Sequence, residues 1–272
     1  MCGRFLPSLR SKTLIISQSH PARQVTDSSA EEIKLSSGLP GLDIMLDGGF
    51  NRGRVVLILG EPGTGKTIIC SQYLHKGAAE LGEHSMFIGM NEPKSRFMKE
   101  MLNLGMDFAK LEAEGKFRYI DATDVRKIPE TAKVGRIAVG GRELGLVNLL
   151  DTIQDAISKF DPARIALDSM ADLVFRFPTV EERRPVVLDM IETLQSTSAT
   201  SLLTSELMAT GEERVLQPEE YLAEGVMLMR TLRKGVRTIQ ILKMRGSKVD
   251  THPRPYVITG KGIEVLATEE VY

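Results

Sequence analysis

Tryptophan is missing from the 272 residues, and cysteine nearly so, with only Cys2 and Cys70. One lies near the chain start and the other inside a helical pattern. Such sparse use excludes a disulfide framework or a zinc-binding spacing and fits a reducing, cytoplasmic setting. Long apolar runs are also missing. They reach five or six residues, far short of the ~20 that a membrane-spanning helix needs, so no membrane association is expected. Nor does either charge dominate. Lys+Arg 35 against Asp+Glu 36 leaves a net charge of −1. That excludes a global electrostatic footprint for nucleic acid or an anionic membrane, but not a local basic patch. We find no internal repeat and no low-complexity segment.

What remains is an ordinary globular composition, 42% hydrophobic, long enough for one large α/β domain. Residues 1–34 differ from the rest. Arg4, Arg10, Lys12 and Arg23 precede any acidic residue, and serines are frequent. They read as a disordered tail, because Thr13 to Ile16 is too short for a signal-peptide core. The domain is then residues 35–272.

Gly60-Glu61-Pro62-Gly63-Thr64-Gly65-Lys66-Thr67 fills all four fixed positions of the phosphate-loop pattern G-x-x-x-x-G-K-[ST]. In such a loop Gly60 and Gly65 permit turns that a Cβ would forbid. Successive N–H groups cradle phosphates, Lys66 sits on the β/γ-phosphates and the Thr67 hydroxyl ligates Mg²⁺. The flanks agree. Arg54 to Leu59 reads as a buried parallel strand. Thr67 to Glu80 reads as a helix with Ile68, Ile69, Tyr73, Leu74 and Ala78 on one face. Its N-terminus adds positive dipole at the phosphates.

Further strands are expected at 85–90, 116–120, 164–168 and 200–204. Helices are expected after Pro93 as far as Gly105, and over 144–160 and 185–194. A long connection over 121–143 and a polar loop over 209–220 separate some of them. Arg233-Lys234-Gly235 and Gly260-Lys261-Gly262 mark two late hairpins. Alternating strands and helices predict a mainly parallel twisted sheet flanked by helices, with antiparallel strands at the C-terminal end.

Ligands of such sheets bind beyond the carboxyl ends of the strands. Asp168, ending the fourth strand, can hold Mg²⁺ with Thr67 or cap the next element. Glu92, after the second strand, can orient or deprotonate a water, or merely favour a helix N-terminus. Thr204-Ser205-Glu206 can sense a γ-phosphate, although capping fits their pattern better.

In order, Gly38-Leu39-Pro40-Gly41-Leu42-Asp43, Gly48-Gly49-Phe50, residues 60–67, Ile165-Ala166-Leu167-Asp168-Ser169, Ile241-Leu242-Lys243-Met244-Arg245-Gly246 and residues 255–263 resemble the KaiC-like branch of the RecA superfamily of P-loop ATPases. The ordered set, spanning about residues 35–266, is more specific than any one motif beyond the phosphate loop. The resemblance implies a RecA-like fold, ATP and Mg²⁺ as ligands, and a homo-oligomeric ring, usually hexameric, with ATP at the subunit seams. It also implies that Lys243 and Arg245 reach a neighbour's γ-phosphate, and that an unidentified protein partner reads the nucleotide state.

The chain departs from that pattern. Asn91-Glu92 stands where relatives commonly carry two glutamates, which implies slow hydrolysis or an ATP-dependent scaffold without turnover. There is one such domain rather than two, so a clock function is not carried over. The 209–220 loop, with four acids and one base, suits DNA poorly. A DNA-binding recombinase paralogue remains the other alternative, through Arg230, Arg233, Lys234 and Arg237.

Overall fold

The computed structural model describes residues 33–123, 144–171, 179–207, 209–210, 213–214 and 216–270. The expected tail, except for residues 33 and 34, and most of the 121–143 connection lie outside them.

Strand β1 (Lys34–Leu35), helix α1 (Pro40–Met45) and strand β2 (Phe50–Asn51) form the entry, with β1 and β2 antiparallel. Then follow β3 (Val55–Gly60), α2 (Lys66–His75), β4 (Ser85–Gly89), α3 (Lys94–Asn103), α4 (Phe108–Ala113) and β5 (Phe117–Asp121). After them come α5 (Leu144–Phe160), β6 (Arg164–Asp168), α6 (Val180–Gln195), β7 (Thr200–Glu206), β8 (Ala209–Thr210), β9 (Glu213–Arg214) and α7 (Pro218–Leu222). The chain closes with β10 (Gly225–Thr231), β11 (Arg237–Met244), β12 (Arg254–Thr259) and β13 (Gly262–Val265).

Nine of these strands make one sheet, ordered β13-β12-β11-β10-β3-β7-β6-β4-β5. The six from β10 to β5 are mutually parallel, and β11, β12 and β13 add antiparallel. The centre belongs to β3 because every one of its residues is buried. A continuous Val/Ile/Leu run is what a strand covered on both faces requires. Alternation then divides it. Val56 and Ile58 join a core with Ile69, Tyr73 and Phe97. Val55, Leu57 and Leu59 face Ile153, Val187 and Ile191 on the other side.

Five elements depart from the sequence reading. The helix after the phosphate loop ends in a π-turn over Lys76–Glu80. Helix α4 was not expected. Neither was the short pairing of β1 with β2, which two residues per strand cannot signal by alternation. Helix α6 begins at Val180 rather than Pro185, which sits inside it and withholds one hydrogen bond. The supposed polar loop over 209–220 holds the β8–β9 hairpin and α7. Two of its acids face inward: Glu219 accepts from Ser205 Oγ at 2.9 Å and Glu220 from the Gln217 N–H at 3.1 Å. Of its four acids, Glu219 and Glu220 are therefore buried.

Candidate functional site

The carboxyl ends of β3, β4, β6 and β7 lie side by side, with Gly60 level with Glu206 and Gly89 level with Asp168. The loop Gly60–Thr67 leaves β3 there and enters α2 through Gly65, which has φ 93°. No side chain caps α2, and its first turn holds no acid. The leading N–H groups of a helix find no partner within it, so this terminus offers donors and positive dipole to an anion. Gly60 is required for a different reason from the one its motif suggests. Its φ is not positive. Instead, a Cβ there would lie 2.7 Å from Thr64 Oγ1 and 3.0 Å from the Met229 carbonyl. The loop therefore fits an anionic phosphate chain by its shape, its donors and its dipole.

Lys66 folds back on this loop, donating to the carbonyls of Gly60 at 2.8 Å and Glu61 at 3.1 Å. Burial lowers its pKa, opposed by the charges of Asp168, Glu206 and Glu61. Its Nζ can exchange these two carbonyls for phosphate oxygens.

Asp168 is buried at the end of β6. Thr67 Oγ1 donates to its Oδ2 at 2.5 Å, and Thr204 Oγ1 donates to its Oδ1. Thr204 lies within β7, and strand alternation aims its hydroxyl at the neighbouring strand's carboxylate. Two hydroxyls converging on one carboxylate beside a phosphate cradle make a hard oxygen donor set suited to Mg²⁺.

Glu92 follows β4 in the turn before α3. Its carboxylate is 18% exposed and lies 3.7 Å from Arg96 Nε. Its pKa is raised to about 7, first by burial, then by the charges of Glu100 and Asp168, against Arg96. A carboxyl held near neutrality is the property wanted of a general base.

Lys243 and Arg245 are not brought to this site. Lys243 pairs with Val226, itself level with Leu57. The Arg245 N–H bonds the Glu224 carbonyl, and the Glu224 N–H bonds the Val55 carbonyl. The pair thus sits three to five residues upstream of Gly60, roughly 10–17 Å at strand rise. A β-bulge between Val226 and Met227 leaves Leu242 unpaired on β11. Ile239 and Ile241 are buried, and unbroken alternation would bury Lys243 next. The bulge gives that place to Met244 and turns Lys243 out. Burial and the Arg245 charge lower the Lys243 pKa. Among the described residues neither cation has a carboxylate partner.

The sequence reading passed over Tyr256, which sits against the loop. Tyr256 Oη donates to the Thr64 carbonyl at 2.6 Å. Among the described residues Arg237 Nε is buried without a hydrogen-bond partner, and its charge acts on Tyr256. Glu61 accepts from the Thr231 N–H at 3.2 Å. Of the basic hairpin, Arg233 and Lys234 are exposed, whereas Arg230 Nε is buried.

The protein family described as "ATPase: KaiC" matches residues 35–270. The chain is 33% identical over 238 residues to the circadian clock protein KaiC3 of Synechocystis sp., covering 86% of this chain and 45% of that one. It is 34% identical over 242 residues to a UPF0273 protein of Aeropyrum pernix, covering 88% and 95%. The chain thus spans about half the length of the clock relative and nearly all of the single-domain one. The crystal structure of a KaiC-like protein from Pyrococcus horikoshii superposes with a TM-score of 0.72 at 30% identity, covering 86% of this chain and 98% of that one.

Proposed function

The chain belongs to the KaiC family of ATPases, and from that premise we propose that it binds Mg²⁺·ATP at residues 60–67 and hydrolyses it slowly. Copies assemble into a ring, a hexamer, with the nucleotide at each seam. The observation that carries this reading is the junction of Thr67 and Asp168 at the foot of the phosphate loop, 2.5 Å apart. It joins the loop's last residue to a carboxylate 101 positions away, a union that a metal–phosphate site calls for.

Residues 60–67 hold the phosphates through backbone N–H groups, and Lys66 turns from its own loop to the β/γ-phosphates. Thr67 and Asp168 hold Mg²⁺, with Thr204 fixing the far oxygen of Asp168. Mg²⁺ held there would neutralise charge on the β/γ-phosphates. Glu92 accepts a proton from a water whose oxygen bonds the γ-phosphorus as the bond to ADP breaks. Lys243 and Arg245 lie too far from their own loop to act on it, so they serve the site of the next copy. There they stabilise charge on the transferring phosphoryl group, an effect worth ~10³–10⁵ in rate for an arginine finger. The protein acts as a nucleotide-dependent switch read by a protein partner. The clock relatives have about twice this chain's length, and their role is not transferred.

ATP turnover measured across protein concentration, alongside particle size, tests this. Turnover per subunit should rise as the ring assembles. It should fall at least a hundredfold in Glu92→Gln and in Arg245→Ala, with nucleotide binding retained. Assembly with bound ATP but no phosphate release would instead mean a scaffold.

A further inference from the structure

The turn that carries Glu92 runs from Gly89 to Pro93, between the end of β4 and the start of α3. Its near end is pinned twice. The Ala122 N–H bonds the Gly89 carbonyl and the Met90 N–H bonds the Asp168 carbonyl, both at 2.8 Å. Its far end is held by a side chain from another strand. Tyr119 Oη donates to the Glu92 carbonyl at 2.7 Å.

That reach depends on Gly89. On β5, Tyr119 lies directly opposite Phe87, and Gly89 is the next residue on the same face. A Cβ at Gly89 would stand 1.8 Å from Tyr119 Oη. The missing side chain is therefore the channel through which the phenol passes to Glu92. The ring is stacked on Phe87 at 5.4 Å and set against Phe97 at 5.2 Å, and Tyr119 is 7% exposed. A phenol so confined has one position for its oxygen, and the Glu92 carbonyl fills it. Among the described residues the Glu92 side chain, by contrast, has only Arg96 at 3.7 Å, an exposed partner worth little by itself. Where the carboxylate can reach therefore depends on how its backbone is held.

We propose that Tyr119, passing over Gly89, is a positioning residue that sets the backbone of Glu92 and so aims the Glu92 carboxylate at the attacking water. This rests on the reading of Glu92 given above. Tyr119 acts through the Glu92 backbone, so its loss should leave ATP affinity alone and act on the chemical step. A misplacement on the order of 1 Å at a general base can lower the rate by up to ~10²-fold.

The test uses the full chain with Tyr119→Phe, which keeps the ring stack and removes only the hydroxyl. Gly89→Ala reaches the same end by filling the channel. Both should lower kcat about tenfold, with the dissociation constant for fluorescent ATP analogue within about twofold of wild type. In a Glu92→Gln background Tyr119→Phe should lower single-turnover hydrolysis no further, because residues acting as one unit are not additive. A merely structural hydroxyl would lower the melting temperature and leave kcat intact. Normal turnover in Tyr119→Phe, with turnover lost in Glu92→Gln, overturns the positioning role and leaves the ATPase reading standing. Multiplying effects in the double variant do the same. Turnover untouched by Glu92→Gln, or absent from wild type, overturns both.

Discussion

Tyr256 donates its hydroxyl proton to the Thr64 carbonyl at 2.6 Å, across 192 residues of chain. Through that bond β12 holds the middle of the phosphate loop. Ile258 and Ile263 of the same hairpin crowd Gly65 so closely that a Cβ there would lie 2.8 Å from Ile263 Cδ1. The last hairpin of the chain is thus part of the wall of the first motif. Tyr256→Phe should cost about 1 kcal/mol of stability, read by denaturant unfolding, through the orphaned Thr64 carbonyl. It should also weaken nucleotide binding about threefold to tenfold by loosening the loop.

Thr204→Val keeps the shape of the side chain and removes the donor to Asp168 Oδ1. The carboxylate is then held only by Thr67, and its second oxygen loses its orientation. Titration of nucleotide binding with Mg²⁺ should show a requirement raised about tenfold, as for other residues that orient a metal ligand. Thr204→Ser should restore it. Equal Mg²⁺ dependence in Val and Ser variants would mean that Thr204 only packs.

Glu92 fixes the pH response. With its pKa raised to about 7, the carboxyl holds its proton below that pH and cannot take one from water. Turnover should therefore rise with pH through about 7 and level off above. Glu100→Gln removes a neighbouring negative charge and should move the midpoint down, whereas Arg96→Gln should move it up. The stability effect has its own sign. A carboxyl whose folded pKa lies above its unfolded value contributes stability that is complete below the unfolded value and lost as pH rises through about 7. The pH profile of kcat/KM and a thermal-melting series check the two separately.

Arg164 lies wholly buried at the start of β6. It pairs with Glu83 at 2.5 Å and donates to the carbonyls of Ser36 at 2.6 Å and Tyr73 at 3.1 Å. Its guanidinium lies 4.6 Å from the Tyr73 ring centroid. It fastens the entry segment to α2 and to the sheet. Arg164→Met should cost ~3–5 kcal/mol, because it leaves Glu83 and two carbonyls without a partner. Nucleotide affinity in the fraction that remains folded should not change. Chemical denaturation and ATP-analogue titration on one sample decide it.

Arg164 also marks where sequence reading stops. The parallel α/β order and the loop Gly60–Thr67 are legible because glycine spacing and the strand–helix flanks are local. Asp168 and Glu92 are legible as residues at carboxyl ends of strands. Their partners are not. Thr204 and Tyr119 lie 36 and 27 residues from the groups they hold, and nothing in periodicity marks a hydroxyl that crosses to a neighbouring strand. A charged residue opening a strand reads as surface, yet Arg164 has no surface at all. The β11 bulge is similarly hidden. Ile241-Leu242-Lys243-Met244 is one more apolar residue than a clean alternation allows, and pairing with β10 decides which residue is surplus.

Distance along the sheet gives any assembly a direction. If each copy lends the Lys243 end of its sheet and receives at its Gly60 end, the contact joins two unlike surfaces, and a two-fold dimer cannot satisfy both. Such a chain of copies must close on itself or grow without limit. One copy lacking Arg245 would then silence a neighbour's intact site rather than its own.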